Sequence, residues 1–340
     1  MAIIPIFIPH AGCPHQCVFC NQKTISGQKS AAVVEAKRQL ERWLQWTKPS
    51  LENEAAFYGG SFTGLAFALQ EQLLQLTDEL LEQKIIGSVR LSTRPDYINT
   101  EVLTLLQQHG VGLVELGVQS LDDAVLQAAE RGHSAAQVPE AVRLLREGGF
   151  KVGIQLMVGL PRQTRASMEK TVAQVVELQP DIARIYPLLV IKDTPLEKSY
   201  RQGSFTPLTL EEAVEQAAYM YSRLTAAGIK VIRIGLQPDE ELCAEGNIVA
   251  GPFHPAMGEM VKARVLREKL TPRLKEVCAE SAEGVLEVLC PPRLLSKVRG
   301  QKSCNVAYWE KLLGRRVDVK QEDVEEVIVK LVASTENRPI

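Results

Sequence analysis

Ile3-Ile-Pro-Ile-Phe-Ile8 runs into Pro9-His-Ala-Gly-Cys13-Pro-His-Gln-Cys17-Val-Phe-Cys20, an apolar strand-like stretch followed by a loop with thiols at C-x3-C-x2-C spacing. Thiolates are soft ligands that suit zinc or iron–sulfur clusters. A structural zinc site takes four protein ligands, commonly two close cysteine pairs. Here three cysteines share one loop, and the next in the chain is Cys243. Three ligands to a four-iron cluster leave one iron with an open position, and an open position is where a metal does chemistry rather than architecture. The competing reading of the same loop is a zinc ion with His10 or His15 as the fourth ligand.

Outward from that loop the chain alternates between strand and helix patterns. Strand runs at 54–58, 88–92, 112–118, 152–158 and 182–189 are separated by helical patterns at 31–46, 65–81, from 101, across 122–149, at 165–178 and at 210–226. Strands separated by helices of this length imply parallel βαβ units. Six such units predict an α/β fold with a curved parallel sheet, a partial (βα)6 barrel, with 228–235 as a candidate seventh edge strand. Function in such a sheet lies at the C-terminal ends of the strands, which is where the cysteine loop falls. The barrel is expected to span 1–240. Beyond it, the rhythm changes at the Gly/Pro-punctuated Ala250-Gly-Pro-Phe-His-Pro255. The region 241–340 is expected to be a small C-terminal α/β domain, with a helix at 257–269, strands at 285–289 and 316–319, and a last helix near 323–331.

The 340 residues are 45% apolar and 24% charged, with a formal net charge of −2, so the chain is not the global polycation of a dedicated nucleic-acid binder. No apolar stretch approaches the roughly 20 residues that cross a bilayer. The N-terminus has no basic n-region and no small-residue cleavage site, so no signal peptide is expected. Seven cysteines, an odd number with three clustered, argue against a disulfide framework and for the reducing cytoplasm. Charge is uneven: residues 261–320 hold 14 Lys and Arg against 7 Asp and Glu. Arg293, Lys297, Arg299 and Lys302 there read either as a footprint for phosphates or as a solvated surface.

Each strand end carries glycine or polar residues. Tyr58-Gly59-Gly60-Ser61-Phe62 closes the second strand, where paired glycines allow close backbone approach to a ligand. Ser92-Thr-Arg94-Pro-Asp-Tyr97 follows the third, and Glu115-Leu-Gly-Val-Gln119-Ser the fourth, continuing to Glu130-Arg131-Gly-His133. Gln155 lies in Gly153-Ile-Gln-Leu-Met-Val-Gly159-Leu-Pro161, and Arg184-Ile-Tyr186-Pro ends the sixth strand. Arg94 and Arg131 read equally as surface ion pairs, and His133 as a solvated turn histidine.

The cysteine spacing, with Phe19 before the third thiol, resembles the signature of the radical S-adenosylmethionine (radical SAM) superfamily. The ordered motifs from about residue 5 to 240 resemble one branch of it, the radical SAM domain of the Elongator catalytic subunit and its bacterial relatives. The resemblance implies a [4Fe–4S] cluster on Cys13, Cys17 and Cys20, with S-adenosylmethionine (SAM) on its open iron. It implies SAM contacts from Phe19, Gly59, Gly60, Ser61, Ser92, Gln119, Arg131 and Gln155, and one-electron cleavage of SAM to a 5′-deoxyadenosyl radical that abstracts hydrogen from a substrate. An electron-delivering protein of flavodoxin or ferredoxin type is the implied partner, and a tRNA nucleoside the implied substrate. The resemblance does not extend to that subunit's acetyltransferase domain or to its preceding basic segment, which leaves a small metabolite as another substrate and a non-catalytic cluster carrier as another role. Ser92 stands where relatives more often have glutamate. Gln22 stands where oxygen-independent coproporphyrinogen oxidases have a further cysteine. Cys243, Cys278, Cys290 and Cys304 are scattered and are expected to be structural or buried thiols.

Overall fold

A computed structural model describes residues 2–8, 13, 17–21, 33–237, 242–281 and 283–333. The chain divides into two compact units, Met1–Ala213 with Arg223–Pro255, and Val214–Ser222 with Ala256–Ile340.

The first unit is built on strands β1 (Ile3–Phe7), β2 (Glu54–Tyr58), β3 (Ser88–Thr93), β4 (Val111–Gln119), β5 (Lys151–Val158) and β6 (Ile182–Pro187). A two-residue β7 (Val190–Ile191) follows, and then β8 (Lys230–Ile234). The strand order is β1-β2-β3-β4-β5-β6-β8, every neighbour parallel, so the candidate seventh strand is real and lies at the edge. Helices Val33–Leu44, Phe67–Glu82, Thr100–Gln108, Gln137–Glu147 and Arg165–Leu178 connect them, as parallel pairing requires. Along β5, Val152, Ile154, Leu156 and Val158 are buried apolar residues, whereas the alternate positions are Gly153, Gln155 and Met157. β6 repeats the pattern, with Ala183 and Ile185 fully buried and Arg184 and Tyr186 at the alternate positions. A period of two with one apolar and one polar face makes a sheet whose second face lines a lumen.

The curl is visible in a single hydrogen bond. Arg184 Nη2 on β6 donates to the Tyr58 hydroxyl on β2 at 3.0 Å. Strands four steps apart in a flat sheet are separated by about 19 Å, at about 4.8 Å per step, which is beyond the combined reach of the two side chains. The sheet is therefore curled into a partial barrel.

Two differences from the sequence reading occur in this unit. The sixth strand stops at Pro187, and β7 pairs antiparallel with β9 (Ile248–Ala250) instead of continuing the barrel. Helix Pro195–Arg201, started by the Thr194 side chain accepting from Glu197 N–H, was not anticipated.

The second unit holds a three-stranded sheet, β10 (Val285–Cys290) between β11 (Val317–Gln321), parallel to it, and β12 (Ile328–Val332), antiparallel. Leu274, Leu286, Val288, Cys290, Val298 and Trp309 form its core. β12 replaces the helix expected near 323–331. The acidic run Glu322 to Glu326 imitates a helix start, but Val327-Ile-Val-Lys-Leu-Val332 is β-branched and packs Val329 onto the core. The expected helix at 257–269 runs on to Ala279 through Pro272. Leu266, Leu270, Leu274 and Val277 keep its apolar face on the core, and that burial outweighs the proline cost of about 3 kcal/mol. Among the four scattered thiols, Cys290 is buried and Cys278 packs against this core, but Cys243 and Cys304 are exposed and do not fit the buried reading.

Candidate active site

The residues 17–21 are held in place mostly by backbone. Val18 N–H donates to Ala129 O at 3.2 Å, and Leu196 N–H donates to Val18 O at 2.8 Å. Leu196 is in the first turn of Pro195–Arg201, where N–H groups lack intrahelical partners, so the cysteine loop caps that helix. Asn21 Nδ2 adds a bond to Lys192 O at 2.9 Å. Phe19 and Val18 pack on an apolar cluster of Val125, Ala129, Met157, Leu160, Leu188 and Leu196. Cys17 is buried, Cys20 half-buried, and Cys13 exposed as a residue although its thiol is partly desolvated. His10 and His15, the zinc alternatives, lie outside the described residues.

Arg131 faces Cys17. Its Nη1 donates to Cys17 Sγ at 3.2 Å, and its Nη2 donates to Gly117 O. Among the described residues its buried Nε has no partner. Glu130 (φ 52) and Gly132 (φ 72) are both left-handed and turn the chain about this residue. Arg131 is thus no surface ion pair. Desolvation and the charge of Cys17 push the Cys13 thiol up, while the Ser61 N–H, Arg131 and Arg94 act the other way. His133 is buried too, and burial with Arg131 and Arg94 pulls its pKa down to about 3 against the opposing effects of Asp96 and the Val118 backbone. Arg94 is buried, and its Nε and Nη2 grip Asp96 at 2.9 and 2.8 Å.

A register shift between Leu116 and Gln119 marks a bulge in β4. Bulges re-aim side chains, and Gln119 sits beyond this one at φ 67, a conformation costly for a residue with a Cβ. A Cβ on Gly117 would stand 3.2 Å from Arg131 Nη2 and 3.3 Å from Gln119 Nε2. Gly117 therefore leaves the room in which those side chains meet. Gln155 Nε2 donates to Gln119 Oε1 at 3.4 Å, which brings three of the sequence-derived residues together. Gly59 has φ 100, open to glycine and strained for other residues. The Ser61 hydroxyl is 3.0 Å from Thr93 Oγ1 and accepts from Arg94 N–H at 3.3 Å, so it holds two strand ends together. Ser92 is half-buried and in register with Glu115.

Below this rim lies a charged network. Arg184 donates through Nε and Nη2 to the Glu115 carboxylate, the Nη2 bond being 3.0 Å, and Arg90 pairs with Glu54 and lies 3.7 Å from Glu115. Tyr186 accepts from Arg184 Nη1 at 3.3 Å. Burial works against the charge of Arg184, but Tyr186, Glu115 and Tyr58 hold its pKa above the ordinary value. Burial pushes Tyr58 up to about 12 despite Arg184. Glu54, Arg90 and the tyrosines were not singled out from sequence. The available signal was charge at alternate positions of otherwise apolar strands.

Among the described residues, no three His, Cys, Asp or Glu side chains converge as the ligands of one ion do. A four-iron cluster makes another demand, because each thiolate takes its own iron. The donor set fits that demand. Cys13 and Cys17 lie near enough to feel one another's charge, and Arg131 donates to Cys17 Sγ; desolvation leaves the Cys13 thiol raised, so a bound metal would have to displace its proton.

Two family models match: "Radical SAM superfamily" over residues 7–175 and "Radical_SAM C-terminal domain" over residues 180–267. The chain belongs to the radical SAM superfamily. Radical SAM enzymes use a [4Fe–4S] cluster and SAM, so this is a SAM-cleaving iron–sulfur enzyme by family. The chain is 25% identical over 263 residues to the tRNA uridine(34) acetyltransferase of Methanocaldococcus infernus, covering 65% of this chain and 49% of the relative. It is 32% identical over 141 residues to human Elongator complex protein 3, covering 40% and 25%. The solved archaeal Elp3 of Methanocaldococcus infernus, lacking its N-terminus, is similar with a TM-score of 0.63 and 26% identity over 79% of this chain and 63% of that one. The Elongator-like resemblance and the curved barrel are thereby borne out. The chain spans about half the length of the curated tRNA acetyltransferases it matches. No helix among the described residues is long and apolar enough to cross a membrane.

Proposed function

We propose that this radical SAM enzyme uses its lumen to abstract a hydrogen atom from a tRNA nucleoside. In this reading Cys13, Cys17 and Cys20 hold the cluster, and Phe19, Gly59, Gly60, Ser61, Ser92, Gln119, Arg131 and Gln155 surround SAM. Bound there, cluster and SAM together supply the 5′-deoxyadenosyl radical that takes the hydrogen. The protein's own residues bind, orient and exclude water. Gly59 leaves backbone open to a ligand, Gln119 and Gln155 present amides, and the apolar cluster under Phe19 shields one side of the loop.

The observation that carries this reading is the meeting of Cys17, Arg131, Gly117, Gln119 and Gln155 at the C-terminal end of a curled parallel sheet. The relatives named for tRNA and the basic share of residues 261–320 support the nucleoside. An electron donor of flavodoxin or ferredoxin type and a cytoplasmic setting belong to the same reading. A small metabolite is the second substrate reading, in keeping with a formal net charge of −2 that is not that of a dedicated nucleic-acid binder. Comparison of tRNA nucleosides and metabolites in cells with and without the gene decides between them. A nucleoside lost with the gene is the expected result. An unchanged set of nucleosides with an accumulating metabolite would replace the first reading by the second.

A further inference from the structure

The lumen network leaves hydrogen-bond donors unused. Arg184 has five N–H hydrogens. Glu115 takes those of Nε and one from Nη2, Tyr58 takes the other from Nη2, and Tyr186 takes one from Nη1. Among the described residues nothing takes the other Nη1 hydrogen. Each phenol accepts through its oxygen and must direct its own hydrogen elsewhere, yet among the described residues neither hydroxyl has an acceptor. Both tyrosines are half-buried, at or near the C-terminal ends of β2 and β6, the same end of the sheet as the cysteine loop. The charges of the network, Glu54, Arg90, Glu115 and Arg184, cancel in sign, so an ionic ligand would find no unpaired partner. Phe7 lies beside Tyr58, ring centroids 6.2 Å apart, and adds an apolar surface.

We propose that Tyr58, Tyr186 and Arg184 form the substrate-recognising wall of the barrel, and that the group they take is an uncharged oxygen acceptor, the carbonyl of an amide-type unit, in preference to a carboxylate, a phosphate or a cation. The inference rests on reading the lumen as the reaction chamber. Donors converging on one carbonyl fix the substrate's orientation and hence which C–H bond faces the radical. A buried donor set also rejects analogues that lack the acceptor, because its hydrogens would then stay unpaired.

The test uses the full chain with its cluster reconstituted and oxidised, labelled with 3-fluorotyrosine at its seven tyrosines. Fluorine resonances are assigned with Tyr58→Phe and Tyr186→Phe. Three probes share one ring: 2-pyrrolidinone carries the carbonyl, pyroglutamate adds a carboxylate, and pyrrolidine is a cation with no acceptor. The expected result is a saturable shift of the Tyr58 and Tyr186 resonances with 2-pyrrolidinone. Pyroglutamate should bind at least about tenfold more weakly, and pyrrolidine should leave both resonances in place. No saturable shift with the lactam, or equal binding of the carboxylate or the cation, would overturn the proposal. Failure of the underlying enzyme reading is distinguishable, since it shows as missing iron or missing SAM cleavage in the unlabelled parent, whatever the probes do.

Discussion

At the residue scale, the side chain that says most is Arg131. Its sequence-derived role is a contact to the SAM carboxylate or ribose, and in the structure it also donates to Cys17 Sγ. A charge-assisted bond to a cluster thiolate favours the reduced, more negative cluster. Arg131→Met should therefore lower the cluster's midpoint potential, on the order of tens of millivolts, in an EPR-monitored redox titration at unchanged iron content. An unmoved potential with weakened SAM binding would return Arg131 to the carboxylate. His133 makes a second prediction. Its pKa falls from 6.5 to about 3 on folding, so the unfolded chain binds more protons between those values. The histidine's contribution is therefore intact above pH 6.5 and is lost as pH falls toward 3, by up to about 1.4 kcal/mol per unit. Urea unfolding of the parent and of His133→Gln at pH 7 and pH 5.5 should show the parent losing about 1 kcal/mol more. Parallel losses would mean that His133 is protonated in the fold. In the sequence Arg131 carries both a SAM-contact and a surface ion-pair reading and His133 reads as a solvated turn residue, so neither the bond to Cys17 nor the burial of His133 is legible there. Burial of polar residues in a turn depends on what packs over the turn, and that partner is far away in the chain.

At the element scale, the packing of the charged network relies on a position with no side chain. Glu115 on β4 reaches Arg184 on β6 across Gly153 on β5, where a Cβ would stand 2.9 Å from Glu115 Cγ and 3.0 Å from Ile182 Cγ1. Gly153→Ala should destabilise the barrel by about 1–3 kcal/mol, read as a lower urea midpoint at unchanged slope. An unchanged midpoint would mean that Glu115 moves freely, against the network described. The basic segment is also narrower than its charge count. Arg293 and Arg299 donate to the backbone oxygens of Glu325 and Val319, leaving exposed Lys302 and half-buried Lys297 as better-placed phosphate contacts. If tRNA binds there, Lys297→Ala with Lys302→Ala should flatten the salt dependence of binding by up to about two log units per log of salt. An unchanged slope would take this segment out of the RNA interface. Long periodic helices at 165–178 and 210–226 were legible to the residue because cap and apolar stripe agree there. β12 was not, because acidic residues before a β-branched run mimic a helix start. The helix expected at 257–269 is longer than expected because tertiary burial carries it through Pro272.

At the scale of the whole molecule, one parallel sheet accounts for both halves of the chemistry. Its C-terminal edge presents the cysteine loop and the glycines, and its inner face presents donors to a substrate. Strand and helix alternation made that architecture readable, and the cysteine spacing made the cofactor readable. The lumen's acceptor-seeking wall could not be read, since Tyr58, four strands from Arg184, is brought to it only by the curl. The most direct test of the account is anaerobic reconstitution followed by reduction with dithionite in the presence of SAM. The account predicts about four irons and four sulfides per chain, and 5′-deoxyadenosine formed by the parent but not by Cys17→Ala. A folded protein that takes up zinc and no iron, or that binds the cluster and SAM yet releases no 5′-deoxyadenosine, would contradict it.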